Sequence, residues 1–321
     1  MSVFRLGSTG DEVRWIQQRL QTLGLYRGPA DGLFGGATEA AVKAFQDRSG
    51  LDSDGMVGPV TWQHLFQDHI PSPSIQSRPL DYRCLALTGS FETGAAIPDC
   101  FAGLSGDFDG QGISFGVLQW NFGQGSLQPL LKRMCTDFGE AARAVFHDKY
   151  DQLAAMLAAG RQEQMAFARS VQDLNRKTVN EPWRGMFKAL GRTEEFQRIQ
   201  TGAASALYGV ARKLCGDYGL WSERAVALIF DIKVQNGSIN DSVQRQILAG
   251  FQALSPTLSD EDREQERLRI VANRRAEAAN AKWVEDVRTR KLCIANGGGN
   301  VHGIQYDLEG QFGVGLRIWG E

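Results

Sequence analysis

Two carboxylates in unlike surroundings are the first features of this 321-residue chain that could do chemistry. Leu80, Cys84, Leu87 and Phe91 recur four, three and four residues apart, which predicts a helix with one buried stripe. That helix should end at Glu92, because Thr93 and Gly94 break the pattern. A carboxylate at such a place meets the negative end of the helix dipole and partial desolvation. Both disfavour ionisation, the condition that a general acid needs near neutral pH. Further on, Gly106-Asp107-Phe108-Asp109-Gly110-Gln111-Gly112 precedes alternating apolar residues and predicts a loop that turns into a short strand or hairpin. Asp109, next to Gly110, should be solvated and ionised. One protonated and one ionised carboxylate facing a cleft is the pair that glycoside hydrolysis requires. The same Asp-x-Asp-Gly run is also a common turn and a fragment of calcium loops, although no bidentate Glu follows at the twelve-residue spacing of an EF-hand.

Composition narrows the alternatives. With 35 Lys+Arg against 37 Asp+Glu, the formal charge of −2 leaves no basic surplus for nucleic acid. No apolar run approaches the ~18 residues of a membrane span, so no membrane insertion is expected. The four histidines, His64, His69, His147 and His302, form no HxH, HxxxH or HExxH pair, which argues against a zinc hydrolase. Five scattered cysteines without a CxxC read as reduced, mostly buried thiols. Val301-His302-Gly303 suggests an L,D-transpeptidase, but no cysteine nucleophile follows it. The run from Asp260 to Arg269, with opposite charges four apart, predicts an exposed helix. No cofactor and no metal are expected.

Three prolines and three serines between residues 68 and 79 have the composition of a linker and divide the chain into 1–67, 68–79 and 80–321. In the first part, Val13, Ile16, Leu20 and Leu23 predict an amphipathic helix, Ala41, Val42 and Phe45 a second, and Pro59 the start of a third carrying Trp62 and Leu65. The turns before the second and third helices echo each other: Asp31-Gly32-Leu33-Phe34-Gly35 and Asp54-Gly55-Met56-Val57-Gly58. Together with Leu6-Gly7-x-x-Gly10-x-x-Val13-x-x-Ile16-Gln17 and Ala41-Val42-x-x-Phe45-Gln46, these motifs make residues 5–66 resemble the three-helix peptidoglycan-binding domain. The resemblance implies a noncatalytic module that holds its partner domain on cell-wall glycan or stem peptide.

In the larger part, Leu87-Thr88-Gly89-Ser90-Phe91-Glu92 and Asp109-Gly110-Gln111-Gly112-Ile113-Ser114 resemble the catalytic stretch of family 46 chitosanases, members of the lysozyme-like superfamily. That resemblance implies Glu92 as general acid, Asp109 as general base and Ser114, where the family usually has Thr, as the residue that orients the attacking water. Asp107 is the reserve base, and Gln119 and Trp120 are candidate substrate contacts. Ser114-Phe115-Gly116-Val117-Leu118-Gln119 is also similar to a stretch of goose-type lysozymes and lytic transglycosylases. Phe230-Asp231 through Asn236-Gly237 resembles the chitosanases' buried helix, with Asn236 in place of a His, and Gln111 stands where they carry an Arg.

The expected fold is therefore mainly α: a small three-helix bundle plus a two-lobed, lysozyme-like α+β domain dominated by helices. The expected activity is cleavage of the β-1,4 glycosidic bond of peptidoglycan. The competing readings are a lytic transglycosylase using Glu92 alone, a chitosanase, and a noncatalytic wall-binding protein. A polycationic chitosan would favour an acidic cleft, whereas the charge here is balanced. Met1 to Gly7 lack the basic and apolar regions of a secretory signal. The expected life history is that of a phage endolysin or injected effector. It would be a monomer made in the cytoplasm that reaches the periplasmic wall through a holin or a secretion system.

Overall fold

The computed structural model describes residues 3–108 and 110–319. Residues 1–87 and 207–321 form one compact unit, and residues 88–206 form a second. The chain is mainly helical, as the periodicity predicts.

The N-terminal module consists of α1 (Asp11–Thr22), α2 (Gly36–Arg48) and α3 (Pro59–Phe66), with Pro59 at the first helical position. Phe4, Val13, Ile16, Leu20, Phe34, Val42, Trp62 and Leu65 meet in its core. The echo between the two Asp-Gly turns is the visible part of a duplicated hydrogen-bond clasp. On α1, Gln17 is fully buried; its amide donates to Asp31 Oδ1 (2.9 Å), Leu33 O (3.0 Å) and Thr38 Oγ1 (3.2 Å), and its carbonyl accepts from Gly32 N–H (2.8 Å). On α2, Gln46 repeats the set with Asp54 Oδ1 (2.8 Å), Met56 O (2.9 Å), Thr61 Oγ1 (3.2 Å) and Gly55 N–H (2.9 Å). Gly32 and Gly55 both adopt φ +77°, which turns the backbone N–H toward the glutamine. Each helix thus carries the side chain that satisfies the turn leading into the next one.

The segment with linker composition is anchored rather than loose. Ser74 Oγ accepts from Asp11 N–H (3.2 Å) and donates to Glu12 Oε2 (2.8 Å), and Ile75 is buried. It leads to α4 (Leu80–Thr93), which runs one residue past the predicted end.

In the second unit, β1 (Leu104–Ser105), β2 (Ser114–Phe115) and β3 (Trp120–Asn121) form a small antiparallel sheet in that order. Then come α5 (Leu127–Asp137), α6 (Gly139–Phe146), α7 (Tyr150–Ala158) and α8 (Arg161–Ser170). A two-stranded hairpin of β4 (Gln172–Asp173) and β5 (Thr178–Val179) follows, then α9 (Trp183–Arg192) and the long α10 (Glu194–Asp217). Phe115, Phe122, Phe146, Phe187 and Phe196 lie in this unit's core.

The first unit is completed by α11 (Glu223–Asn236), α12 (Asp241–Gln252), α13 (Asp260–Glu277), α14 (Val284–Asn296), a hairpin of β6 (Gly298–Val301) and β7 (Ile304–Asp307), and α15 (Leu308–Phe312). The helix around Asp231 is buried, as its resemblance implies. Asp231 is fully enclosed and paired with Arg290 (2.7 Å) and Lys291 of α14. Burial opposes its ionisation, but the two adjacent cations outweigh it and hold the carboxyl well below the usual range. The charge run after Asp260 does form a helix, although not a wholly exposed one. Glu264 is buried and accepts from Trp221 N–H, Ser222 N–H and Ser222 Oγ, because that carboxylate covers the donors at the start of α11.

Replacing Gln46 by Leu keeps the volume but leaves buried partners in the turn unsatisfied, at a cost of about 2–3 kcal/mol. Native-state hydrogen exchange should show that loss in α2 and α3 and none in α9. Unchanged protection of α2 and α3 would mean that the clasp contributes nothing.

Candidate active site

The candidate residues lie on α4, on the β1–β2 loop and on the β2–β3 hairpin. Glu92 is the penultimate residue of α4 and is exposed. The partial burial expected there is absent, because the chain turns away at once. Thr93 Oγ1 donates to Gly89 O (2.8 Å) and accepts from Ala95 N–H (3.2 Å), and Gly94 N–H donates to Ser90 O (2.8 Å). These bonds satisfy the last carbonyls of the helix and fix the position of its end.

The sheet register sorts the hairpin side chains into two rows. Leu104, Phe115 and Trp120 are directly paired across the strands, as are Ser105, Ser114 and Asn121. Paired residues share a face of an antiparallel sheet. The first row packs on the core, with the Phe115 ring 5.1 Å from that of Phe187 and 5.5 Å from that of Phe196. The second row, with half-buried Ser114 at its centre, takes the opposite face. Trp120, a candidate for sugar stacking, belongs to the core row and is half-buried. Gln119, the other candidate contact, adopts φ +53°; its side chain accepts from Ser105 Oγ (2.9 Å) and donates to Gly116 O (2.9 Å). It braces the hairpin from within.

Asp109 lies outside the described residues. Asp107, on the same loop, is half-buried. Its N–H donates to Gln172 Oε1 (2.8 Å), and its Oδ1 is buried without a hydrogen-bond partner among the described residues. The loop is tied down on both sides, by Gly106 N–H to Lys177 O (3.1 Å) and by Gly123 N–H to Gln111 O (2.8 Å).

Two residues that sequence reasoning missed bring these pieces together. Gly89, three residues before Glu92, faces the hairpin so closely that a Cβ there would lie 1.9 Å from Val117 Cγ2. Gln200 of α10, fully buried, accepts from Val117 N–H (2.8 Å) and donates to Phe101 O (3.1 Å). The hairpin is therefore pressed onto α4 from one side and held by an amide from the other. A glycine in the interior of a helix was the available signal for the first. A glutamine 83 residues away in sequence gave none for the second. Gly89→Ala should lower stability by about 1–3 kcal/mol through overpacking. Adding Val117→Ala should recover most of that loss, as read by thermal unfolding. A fully stable Gly89→Ala would contradict the contact.

Residues 9–65 match the peptidoglycan binding domain family. The relatives found by sequence match over a stretch of similar length. The spore cortex-lytic enzyme of Bacillus subtilis is 48% identical over 65 residues, 20% of this chain and 21% of that protein. The N-acetylmuramoyl-L-alanine amidase CwlM of Mycobacterium tuberculosis is 46% identical over 57 residues, 18% of this chain and 14% of that one. The zinc D-Ala-D-Ala carboxypeptidase of Streptomyces albus G is 42% identical over 66 residues, 19% of this chain and 25% of that one. The match thus spans only about a fifth of the relatives' length, and those relatives carry differently named activities. Among solved structures, a chitosanase from Bacillus subtilis MY002 covers 72% of this chain and 96% of its own at 16% identity and a TM-score of 0.40. The endolysin of Burkholderia phage AP3 covers 74% and 97% at 18% identity and a TM-score of 0.20. Both superpositions are too loose to bear on function. The assignment that stands is local: the N-terminal module of this chain is a peptidoglycan-binding domain.

Proposed function

We propose that the chain is a cell-wall hydrolase that cleaves the β-1,4 glycosidic bond of peptidoglycan, a muramidase-type activity. One observation carries this reading. A segment that matches the peptidoglycan binding domain family is joined in one chain to a helical unit in which a helix with a glutamate in its last turn packs, at Gly89, against a serine-bearing hairpin. The module would hold the enzyme on its insoluble substrate and raise the local concentration of glycan at the site.

In this reading Glu92 protonates the leaving glycosidic oxygen from the end of α4. Its exposure leaves the carboxyl accessible to a sugar chain. Asp109 takes the proton of the attacking water, and Ser114 orients that water from the row that faces away from the core. Two carboxyl groups about 6.5–9.5 Å apart would leave room for the water and invert the anomeric centre, whereas about 5 Å would imply a covalent intermediate and retention. Asp107 is a second candidate for the base, favoured by a carboxyl oxygen that has no hydrogen-bond partner among the described residues. The reaction would act on the wall, and no helix among the described residues is long and apolar enough to cross a membrane.

Glu92→Gln should slow release of soluble fragments from dyed sacculi by about 10²–10⁴-fold, the usual weight of a general acid. Asp109→Asn should match it, with Asp107→Asn within a few-fold of wild type. The reverse order for the two aspartates would move the base to Asp107. An active Glu92→Gln would overturn the proposal.

A further inference from the structure

One face of α9 carries Arg184, Lys188 and Arg192, each four residues from the next. They line an open hollow of about 470 Å³ whose opposite wall includes Thr93 and Ala95, just past Glu92. Arg184 and Lys188 also line a second hollow, of about 330 Å³, together with Lys177 and with Leu104 of β1. The two hollows share these residues and form one groove. At one end it reaches the turn after the candidate acid, and at the other it reaches the strand paired with Ser114.

The charge in this groove is one-sided. Four cations face two carboxylates, and each carboxylate is already matched: Glu181 with Arg184 (3.3 Å) and Asp99 with Arg192 (2.5 Å). Lys177 Nζ lies 5.0 Å from the centre of the exposed Phe108 ring. Lys188 sits half-buried between the two arginines and has no ion-pair partner among the described residues. Burial pushes its ammonium down from the ordinary lysine value; Asp99 opposes that, and Arg192 and Arg184 add to it. A partly desolvated cation flanked by two others is stabilised by an anion from outside the chain. A polycationic glycan would meet repulsion here.

We infer that this groove binds carboxylates carried by the wall glycan, with Lys188 as the central contact, so that the site selects an anionic glycan over a cationic one. The inference rests on the proposed function, since it names what the same site recognises. In glycan that carries its stem peptide, the carboxylates are those of the peptide, because the lactyl carboxyl of muramic acid is tied up in the amide to that peptide and becomes a free carboxylate only when the peptide is removed.

The test is calorimetric titration of the full chain with ligands too short to be cleaved. The probes are a disaccharide-tetrapeptide, the same disaccharide after amidase trimming, and an uncharged N-acetylglucosamine dimer. Binding through the N-terminal module is common to all variants. Lys188→Gln should weaken the disaccharide-tetrapeptide about tenfold, the weight of one charge-assisted hydrogen bond. Lys188→Arg should restore it, and the uncharged dimer should be unaffected. Trimming removes the peptide carboxylates and frees the lactyl one, so a Lys188 effect on the trimmed disaccharide would mean that the groove also takes the lactyl carboxylate, and its absence would confine the groove to the peptide. Equal affinity of Lys188→Gln and wild type for the disaccharide-tetrapeptide would overturn the inference, as would equal weakening for the uncharged dimer. If the wild type cleaves no glycan yet the Lys188 effect persists, the hydrolase reading fails and the carboxylate groove stands.

Discussion

The arrangement of the candidate site depends on one close contact, between the backbone of α4 at Gly89 and the side chain of Val117 on the β2–β3 hairpin. A helix end and a two-residue strand are both frayed, mobile objects in isolation. Here the hairpin cannot drift, because Val117 fills the space that a Cβ would occupy on the helix and its own N–H is held by buried Gln200. The contact sits three residues before Glu92 and three after Ser114. Any displacement of one would carry to the other. Catalytic geometry tolerates errors of only a fraction of an ångström, so a contact without slack suits a site built from short elements.

What could be read from the sequence follows the range of the interactions involved. The three helices of the binding module, the proline at the start of the third and the two Asp-Gly turns are local patterns, and all are present. The glutamine clasps connect positions only 8 to 21 residues apart, yet periodicity does not register them, because a buried glutamine looks like any polar residue on a helix. Glu264 is hidden in the same way. Within a run of charges nothing marks the one carboxylate that covers the donors at the start of α11. In the candidate site, the positions of Glu92 and Ser114 at a helix end and on a short strand were legible. The side toward which Trp120 points was not, because with strands of two residues a single shift in register reverses every face. The burial of Glu92 was misjudged for a related reason: a stripe of apolar residues says which face of a helix is covered, not how its last turn ends.

The electrostatics complement this picture. Overall charge is close to neutral, and that neutrality hides a local separation along α9. Three cations at four-residue spacing cannot avoid one another on a helix, an arrangement that costs stability unless something compensates it. Two of them are compensated by Glu181 and Asp99. The third is left for a ligand. A module that matches the peptidoglycan binding domain family and a groove proposed to favour anions point to the same polymer, from parts of the chain with no shared sequence pattern.

The central claim is the chemistry of the bond broken, and mass spectrometry of purified sacculi digested by the wild-type chain tests it most directly. The account predicts muropeptides with an ordinary reducing end, one water heavier than the anhydro form, and the sugar at that end identifies the bond. Products ending in a 1,6-anhydro sugar would contradict hydrolysis and indicate intramolecular capture by a transglycosylase. Sacculi left intact under the same conditions would contradict any cleavage of this substrate and reduce the chain to a protein that binds the wall.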